Sequence, residues 1–280
     1  MGRVLVTGAG NGIGRATVEA FVANGDEVVA AVRDPATART PWPGVRVIAL
    51  DVTDDAMVSA ALANQEVFDV VVNNAGISFS GPVETMDWEV ARQQFETNYW
   101  GALRVVRAVV PAMRARTRGL IINVSTVGGR TPARGYHAIY QGSKHALRAA
   151  SEALVWELAP FGINVALVEP GFVATNIFIR GGYDQAPPAS PYALDEAWVR
   201  RFFLEGARTQ AIAASEVAAR IVAISAQPHP CLHHPVGADA EAGVTAARAM
   251  EFEAWLAAAL QRVASLAGTR PRLGPYRGPD

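Results

Sequence analysis

A tyrosine and a lysine stand four residues apart in the segment YQGSK, near the start of a predicted helix. That spacing puts Tyr140 and Lys144 about one turn apart on the same helix face. Tyrosine has an ordinary pKa of about 10 and is a poor base near neutrality, but a neighbouring ammonium favours the phenolate and lowers that pKa. The pair is therefore a candidate acid/base for proton transfer. Its alternative is an ordinary pair on a helix surface.

Lys144 also stands out by count. The chain has 25 Lys and Arg residues, and Lys144 is its only lysine. Lysine carries a compact charge and arginine a wide planar fork, so the two are not interchangeable in a tight site. The count alone fits chance as well as function, but the position beside Tyr140 favours function.

A glycine-rich turn, TGAGNGIG at 7–14, stands between the first apolar run and the first helical stretch. Glycines allow positive φ and a close backbone approach, so amides and a helix N-terminus can face a pyrophosphate. The spacing is G-x-x-x-G-x-G rather than G-x-G-x-x-G. We expect this turn to bind a dinucleotide rather than to be a tight turn alone, with these candidates: Gly8, Asn11, Gly12, Ile13 and Gly14.

The end of the second predicted strand bears on the choice of cofactor. NAD sites place a carboxylate there for the ribose hydroxyl, whereas NADP sites place a cation near the 2′-phosphate. Here Val32 is followed by Arg33, and Asp34 comes one residue later, where it could cap a turn with Pro35. We therefore expect NADP(H). The alternative is that Arg33 is solvated and Asp34 binds the ribose of NAD.

Short apolar runs alternate with helical stretches along most of the chain. Runs rich in Val and Ile without polar alternation are typical of strands covered on both faces, and strand–helix alternation predicts a parallel sheet. The expected fold is a three-layer α/β protein with a Rossmann-type doubly wound sheet. The predicted strands are 4–7, 27–32, 45–50, 68–74, 119–125 and 163–170, and the predicted helices are 13–24, 55–63, 87–114 and 138–159.

The regular alternation ends after Pro170. We expect one dinucleotide-binding and catalytic domain over 1–266, with a substrate loop at about 171–212 and a frayed tail over 267–280. Further helices are predicted near 195–206, 214–226 and 240–266. Prolines interleave the possible metal ligands of PHPCLHHPVG and no second ligand cluster exists, so no metal site is expected.

Composition excludes several classes of partner. The net charge is −1 and the arginines are scattered, so neither nucleic acid nor an anionic membrane is expected as a partner. No apolar run is long enough to span a membrane, and the first residues lack the apolar stretch of a signal peptide. The one cysteine is compatible with a reducing cytoplasm, where we expect the protein to act.

Taken together, these segments resemble the short-chain dehydrogenase/reductase family in its compact single-domain form. The resemblance covers about residues 3–180, and the order and spacing of its motifs suit the family throughout. The motifs are TGAGNGIG at 7–14, NNAG at 73–76, FETNYWG around Asn98, the strand end INVST, YQGSK at 140–144 and EPGFVAT at 169–175. The resemblance implies hydride transfer between a nicotinamide cofactor and a carbonyl or alcohol carbon.

The resemblance also implies roles for single residues. Tyr140 would protonate the carbonyl oxygen or deprotonate the alcohol, Lys144 would lower its pKa and bind the nicotinamide ribose, and Asn98 would hold a water in a proton relay. The alternative for Asn98 is a helix-interior side chain bonded to backbone. The remaining implied cofactor contacts are Asn74, Ala75 and Gly76 by adenosine, Asp51 and Val52 by adenine, and Pro170, Gly171, Val173 and Thr175 by nicotinamide.

One departure concerns the hydroxyl that orients the carbonyl. Relatives usually carry a serine about 13 residues before the tyrosine, whereas here the strand ends in Ser125 and Thr126. Matching the following VGG to the family pattern puts Thr126 in that place, 14 residues before Tyr140. Thr126 has the same hydroxyl capacity as serine. Ser125 is the alternative if the strand end shifts by one residue.

The expected function is NADP(H)-dependent interconversion of a carbonyl and an alcohol on a fairly bulky apolar substrate. Aromatic residues after the strand ends and in the segment after 170 suggest such a pocket, although part of them can equally be core. The alternatives are a non-catalytic dinucleotide sensor and a dehydratase or epimerase of the same fold. A homodimer or homotetramer is expected, because the two long helices pair subunits in relatives.

Overall fold

The computed structural model describes residues 2–36, 42–63, 65–177 and 190–271. Within them, seven strands form one sheet in the order β3-β2-β1-β4-β5-β6-β7. Every neighbouring pair is parallel. The strands are β1 Arg3–Thr7, β2 Glu27–Val32, β3 Arg46–Ala49, β4 Val70–Asn73, β5 Gly119–Val124, β6 Ile163–Pro170 and β7 His233–Val236.

Helices cover both faces of the sheet. They are α1 Gly12–Ala23, α2 Asp55–Ala63, α3 Trp88–Phe95, α4 Gly101–Ala115, α5 Ala138–Leu158, α6 Ala193–Gln210, α7 Ala214–Ser225, α8 Ala238–Ala249 and α9 Phe252–Ala267. Side chains of alternate strand residues enter two different buried clusters. Val4 and Val6 pack with α1 and α7 on one face, whereas Leu5 packs with α2, α4 and α5 on the other. The predicted three-layer, doubly wound fold is confirmed.

Two predicted helices differ in the structure. The helix expected over 87–114 contains a π-helical segment, Glu96–Trp100, between α3 and α4. The Ala-rich helix expected over 240–266 is two helices, because Met250 and Glu251 have extended backbone between α8 and α9. Each of the two helices buries its own apolar residue, Val244 on α8 and Trp255 on α9.

The order of the strands reverses between β1 and β4, which are neighbours in the sheet. In open α/β sheets a ligand lies outside the carboxyl ends of the strands at such a switch point. The glycine-rich turn follows β1 and the NNAG segment includes the end of β4. The topology therefore brings these two motifs together at the expected ligand crevice.

The chain beyond β6 packs α6 and α9 against each other around a third buried cluster. The first residues of the tail that was expected to fray are held there, because the Trp198 indole N–H donates to the Gly268 carbonyl at 2.7 Å. Residues 272–280 lie outside the described part of the chain, as do residues 178–189 of the expected substrate loop. In the described residues, no helix combines the length and apolar character needed to cross a membrane.

Candidate active site

The glycine-rich turn packs tightly against the end of β4. Gly8 has φ +62°, and a Cβ there would lie 2.8 Å from the Ala75 Cα. A Cβ at Gly14 would overlap the Gly8 carbonyl and the Asn74 amide. Side chains are therefore excluded at both positions, and α1 can begin directly against the sheet. This is the close packing that a phosphate-binding turn requires.

The N-terminus of α1 has backbone donors that no capping side chain satisfies. Asn11 is the N-cap residue and is exposed, and it makes no side-chain capping bond. The first amides of a helix lack partners within the helix and favour an anion. Gly12 has φ +52°, and a Cβ there would lie 3.3 Å from the Thr175 methyl. Ile13 packs partly against the core, so the amides of this turn fit a dinucleotide pyrophosphate.

Asn74 joins the ends of β1 and β4. Its Nδ2 donates to the Thr7 carbonyl at 3.0 Å and to the Gly8 carbonyl at 3.1 Å. The Thr7 hydroxyl in turn accepts from the Asn74 and Ala75 amides at 3.1 and 3.2 Å. The Asn74 side chain was expected beside adenosine, and these contacts give it a clear role in holding the crevice together.

The end of β2 presents two exposed charged residues. Val32, the last residue of the strand, is buried, whereas Arg33 and Asp34 are both exposed. Asp34 Oδ1 accepts from the Ala36 amide at 2.9 Å, which is the turn-capping contact considered for it. Arg33 is thus an exposed cation directly after the strand end, and Asp34 makes the turn-capping contact.

Asp51 and Val52 were expected near adenine, and each makes its own contacts within the protein. Asp51 Oδ1 accepts from the Thr53 amide at 2.9 Å and from the Thr53 hydroxyl at 2.8 Å. Val52 is buried, and a Cβ at Gly101 would lie 2.7 Å from its Cγ2. Val52 therefore packs closely against Gly101, the first residue of α4.

Thr126, Tyr140 and Lys144 converge at the end of β5. The Thr126 side chain lies near the Tyr140 hydroxyl, whose pKa it lowers, and its own hydroxyl donates to the Pro170 carbonyl at 3.3 Å. Lys144 Nζ donates to the Val124 carbonyl at 3.0 Å. Tyr140 and Lys144 are 8% and 4% exposed. The structure therefore places a phenol, a hydroxyl and an ammonium in one largely desolvated space.

The protonation of this group differs from the expectation for Tyr140. Burial raises the pKa of Tyr140 to about 12, and the nearby Thr126 side chain opposes that rise. Burial also lowers the pKa of Lys144 to about 8. The expected lowering of the Tyr140 pKa by Lys144 is therefore wrong for this structure, because desolvation dominates both groups and the ammonium is bonded to the Val124 carbonyl.

Asn98 lies in the π-helical segment and is 1% exposed. Its Oδ1 accepts from the Ile77 amide at 2.9 Å, and its Nδ2 donates to the Ile77 carbonyl at 2.9 Å and to the Ser143 hydroxyl at 3.1 Å. This is the backbone-bonded alternative considered for Asn98. π-helical turns are frequent at functional sites, and a Cβ at Gly76 would lie 3.3 Å from Asn98 Oδ1 and 3.6 Å from Lys144 Nζ.

Ser125 and Thr126 have different surroundings. The Ser125 hydroxyl is buried without a hydrogen-bond partner, and a Cβ at Gly129 would lie 2.9 Å from it. The Thr126 side chain instead acts on Tyr140, whose pKa it lowers. Thr126 is therefore the hydroxyl residue beside Tyr140, whereas Ser125 faces Gly129.

The turn after β6 is held by a residue that the sequence did not suggest. Asp239 Oδ2 accepts from the Phe172 amide at 2.8 Å, and a Cβ at Gly171 would overlap the Asp239 carboxylate. Val173 forms a bridge with Ile212. The segment that begins at Pro170 is thus fixed from two sides. A lone acidic residue at a predicted helix start is too common a signal to have revealed this contact.

Gln141 is a second residue that sequence reasoning missed. Its Oε1 accepts from the Arg134 amide at 2.6 Å, and a Cβ at Gly128 would overlap its Nε2. Gln141 therefore joins the loop after Thr126 to the helix that carries Tyr140. The feature that reveals the role of Gln141 is its burial next to Tyr140, and that burial cannot be read from the sequence.

The aromatic residues of the segment after 170 divide into core and cleft. Phe172, Trp198, Phe202 and Phe203 belong to one buried cluster. Tyr192 instead borders an open cleft of about 340 Å³ near the start of α5. Phe178 and Tyr183 lie outside the described residues. The cleft is lined by Gly81, Pro82, Val83, Glu84, Gly135, Tyr136, Ala138, Tyr192, Asp195 and Arg270.

The histidines near β7 have protein partners. His234 Nε2 is bonded to the Cys231 carbonyl at 2.8 Å, and His233 Nδ1 lies 3.1 Å from Glu169 Oε1. In the described part of the chain, no three His, Cys, Asp or Glu residues are grouped to hold a metal ion.

Comparison with known proteins identifies relatives along the chain. The family model described as short chain dehydrogenase matches residues 3–184. The oxidoreductase YusZ of Bacillus subtilis is 37% identical over 187 residues, which are 62% of this chain and 66% of that protein. The chain thus spans slightly less than two thirds of that relative's length.

Two solved structures are similar over nearly their full length. A short-chain dehydrogenase from Streptomyces avermitilis is 34% identical with a TM-score of 0.76, and the match covers 92% of this chain and 96% of that chain. A short chain dehydrogenase from Burkholderia cenocepacia, solved in complex with NADP, is 28% identical with a TM-score of 0.74, and the match covers 92% and 97%.

Proposed function

The chain belongs to the short-chain dehydrogenase family, and on that premise we propose that it is an NADP(H)-dependent oxidoreductase that interconverts a carbonyl and an alcohol. The observation that carries the proposal is that the buried Tyr140 phenol, the Thr126 side chain that lowers its pKa and the buried Lys144 ammonium meet where β5 ends against α5. A phenol, a hydroxyl donor and a cation around one space suit proton transfer to or from a substrate oxygen.

The residues of the crevice fit a dinucleotide. The uncapped first turn of α1 with Gly12 would hold the pyrophosphate, and the space beside Gly76 and Lys144 would hold the nicotinamide ribose. The turn after Pro170, fixed by Asp239, would line the nicotinamide. When bound, the reduced cofactor supplies the hydride.

Tyr140 gives its proton to the carbonyl oxygen in reduction and takes one from the alcohol in oxidation. A pKa of about 12 keeps Tyr140 protonated near neutrality, which suits the acid role directly. For the base role the phenolate must gain stabilisation, and we assign that task to the ammonium of Lys144, one turn further along α5. Thr126 donates its hydroxyl to hold the substrate oxygen toward Tyr140. Asn98 fixes the loop at Ile77, directly after Gly76, where a Cβ would lie 3.6 Å from Lys144 Nζ.

Two observations support NADP(H) over NAD(H). Arg33 is exposed at the end of β2, where a 2′-phosphate lies in NADP sites. Asp34 is engaged by the Ala36 amide. The similar structure from Burkholderia cenocepacia was solved with NADP, which supports the same choice by analogy.

A fairly bulky substrate is part of the proposal. The open cleft of about 340 Å³ lies beside the start of α5, and its lining does not include Thr126, Tyr140 or Lys144, so a substrate that reached from Tyr140 into this cleft would be larger than a small alcohol. Pro82, Val83 and Ala138 contribute apolar surface, whereas Glu84 and Asp195 contribute charge. We therefore propose an apolar body with room for a polar end.

We further propose a homodimer or homotetramer that acts in the cytoplasm. Trp156 on α5 is 85% exposed and Trp100 beside α4 is 48% exposed, and large exposed apolar groups are typical of association surfaces. The one cysteine, Cys231, is compatible with a reducing compartment. Light scattering measures the assembly, and a monomer at micromolar concentration would contradict this part of the proposal.

The proposed function is tested by a screen of ketones and aldehydes in which NADPH and NADH absorbance is followed. Tyr140→Phe retains the ring and removes the acid, so turnover is expected to fall by roughly 10²- to 10⁴-fold. Cofactor binding, measured by fluorescence, is expected to stay nearly unchanged. Activity within about threefold of wild type would exclude Tyr140 as the acid/base.

A further inference from the structure

The loop that leads into α5 contains a residue in a conformation that bulky side chains seldom adopt. Tyr136 has φ +65°, in the left-handed region. Such outliers persist only where the surroundings hold them, and they concentrate at functional sites. The Tyr136 carbonyl accepts from the Gly81 amide at 2.9 Å, and its hydroxyl donates to Asp195 Oδ2 at 2.7 Å. Tyr140 follows only four residues later.

Asp195 is the centre of the contacts that hold Tyr136. It lies in the first turn of α6 and is 3% exposed. Arg270 donates to it through Nε at 2.7 Å and Nη2 at 3.0 Å. Burial would raise the pKa of the Asp195 carboxyl, but the bonds from Arg270 and Tyr136 hold the pKa below its ordinary value. The carboxylate is therefore ionised near neutrality, and its bonds are the strong, charge-assisted kind.

Arg270 connects the C-terminal segment, residues 267–271, to the same network. Its guanidinium lies 5.6 Å from the Trp198 ring centroid, and the Trp198 indole binds the Gly268 carbonyl. Arg270 and Tyr136 are far apart in sequence yet share one carboxylate. A change at the C-terminal end can consequently reach the start of α5 through two hydrogen bonds.

We propose that Asp195 is a positioning residue that couples the C-terminal segment, through Tyr136, to the start of the catalytic helix. The proposal rests on the proposed function because the quantity it controls is the position of the Tyr140 hydroxyl. A misplacement of a catalytic group by about 1 Å can cost on the order of 10²-fold in rate. Loss of the network is therefore expected to lower kcat more than it changes the KM for NADPH. If the ion pair only stabilised the fold, its loss would lower the unfolding temperature and leave the start of α5 unchanged.

The test measures amide hydrogen exchange in peptides that cover residues 133–142, without substrate, together with kcat and KM. The variants are Asp195→Asn, Tyr136→Phe and Arg270→Gln. Loss of a hydrogen bond to a charged group is expected to speed exchange at the start of α5 by about tenfold, and kcat is expected to fall by about tenfold or more. The matched control is Arg201→Gln, because Arg201 also lies on α6 and contacts the C-terminal segment, at the Ala267 carbonyl, but not Asp195.

Unchanged exchange over 133–142 in Arg270→Gln would overturn the coupling, and so would an equal change in Arg201→Gln. Faster exchange with an unchanged kcat would overturn the positioning role. Arg270→Gln decides the question even if Asp195→Asn does not fold, because the Arg270 side chain is 42% exposed. Exchange needs no turnover, so the coupling is judged even if no carbonyl compound is reduced and the proposed function fails.

Discussion

Removal of the Lys144 ammonium is expected to stabilise the folded protein. The Lys144 side chain is buried and bonds the Val124 carbonyl at 3.0 Å, and no ion pair to it forms among the described residues. A charge buried without an opposite charge is costly. Burial accordingly lowers the pKa of Lys144 from its ordinary 10.5 to about 8.

The size of this cost follows from the fall in pKa. One pH unit corresponds to about 1.36 kcal/mol, so a fall from 10.5 to about 8 destabilises the fold by about 3 kcal/mol at pH 7. Lys144→Met keeps an unbranched chain and removes the charge, but it also loses the bond to Val124, worth about 1 kcal/mol. The free energy of unfolding is expected to rise by about 2 kcal/mol at pH 7.

The pH dependence of stability is a second test of whether the Lys144 charge destabilises the fold. Between about pH 8 and pH 10.5 the unfolded chain still binds a proton that the folded chain has released at Lys144. Wild-type stability therefore rises with pH in that window, and the gain in Lys144→Met shrinks. The measurement goes no higher than pH 9.5, because Tyr140, whose pKa is raised to about 12, acts in the opposite direction above pH 10.

The assay is urea unfolding of wild type and Lys144→Met at pH 6.5, 7.5, 8.5 and 9.5. The control is Arg208→Met, which removes a positive charge from a side chain that is 71% exposed. Its difference from wild type is expected to be small and independent of pH. Lys144→Met is also expected to lose turnover. If Lys144→Met were less stable than wild type throughout, or if its gain did not change with pH, the view of Lys144 as a buried, costly charge would be refuted.

The remaining predictions concern the hydroxyl and the cofactor. Thr126→Val is expected to lower kcat by about 10²-fold, whereas Thr126→Ser retains the hydroxyl and activity. Ser125→Ala is expected to keep activity and to be as stable as wild type or more stable, because the Ser125 hydroxyl is buried without a partner; a severe loss of kcat in Ser125→Ala would shift the catalytic register by one residue. Arg33→Ala is expected to raise the KM for NADPH by roughly 10- to 150-fold, with a smaller penalty at high salt and little effect on NADH. If instead Asp34→Ala impaired the use of NADH and wild type preferred NADH, the Asp34 carboxylate would be the group that binds the cofactor ribose.

The fold was predictable because buried parallel strands have an unmistakable composition. The run Ile163–Pro170 has the bounds in the structure that its apolar pattern indicates. The single helix expected over 240–266 was wrong for a different reason. Alanine favours helix on both sides of Met250, and the break depends on which distant surface each half covers. Trp255 is buried, with the Arg134 guanidinium 5.9 Å from its ring centroid, and Val244 is buried on α8. Local periodicity holds no information about such long-range partners.

The motifs of the candidate site were predictable as a set, but their contacts were not. Tyr140 and Lys144 share a helix face by spacing alone. That Lys144 donates to Val124, and that burial raises the pKa of Tyr140, depend on packing in three dimensions. The role of Gln141 was not predicted, because its partner, the Arg134 amide, lies in a loop whose path the sequence does not define.

The residues of this site are difficult to explain by stability. The Ser125 hydroxyl lacks a partner, Lys144 is charged in a space that disfavours charge, and Tyr136 has a left-handed backbone. Each of these features costs free energy that a simpler side chain would avoid. A chain with 24 other basic residues, all arginine, nevertheless has its one lysine at this buried position. Stability alone would favour an apolar residue there, so the ammonium is best explained by the chemistry proposed for Tyr140.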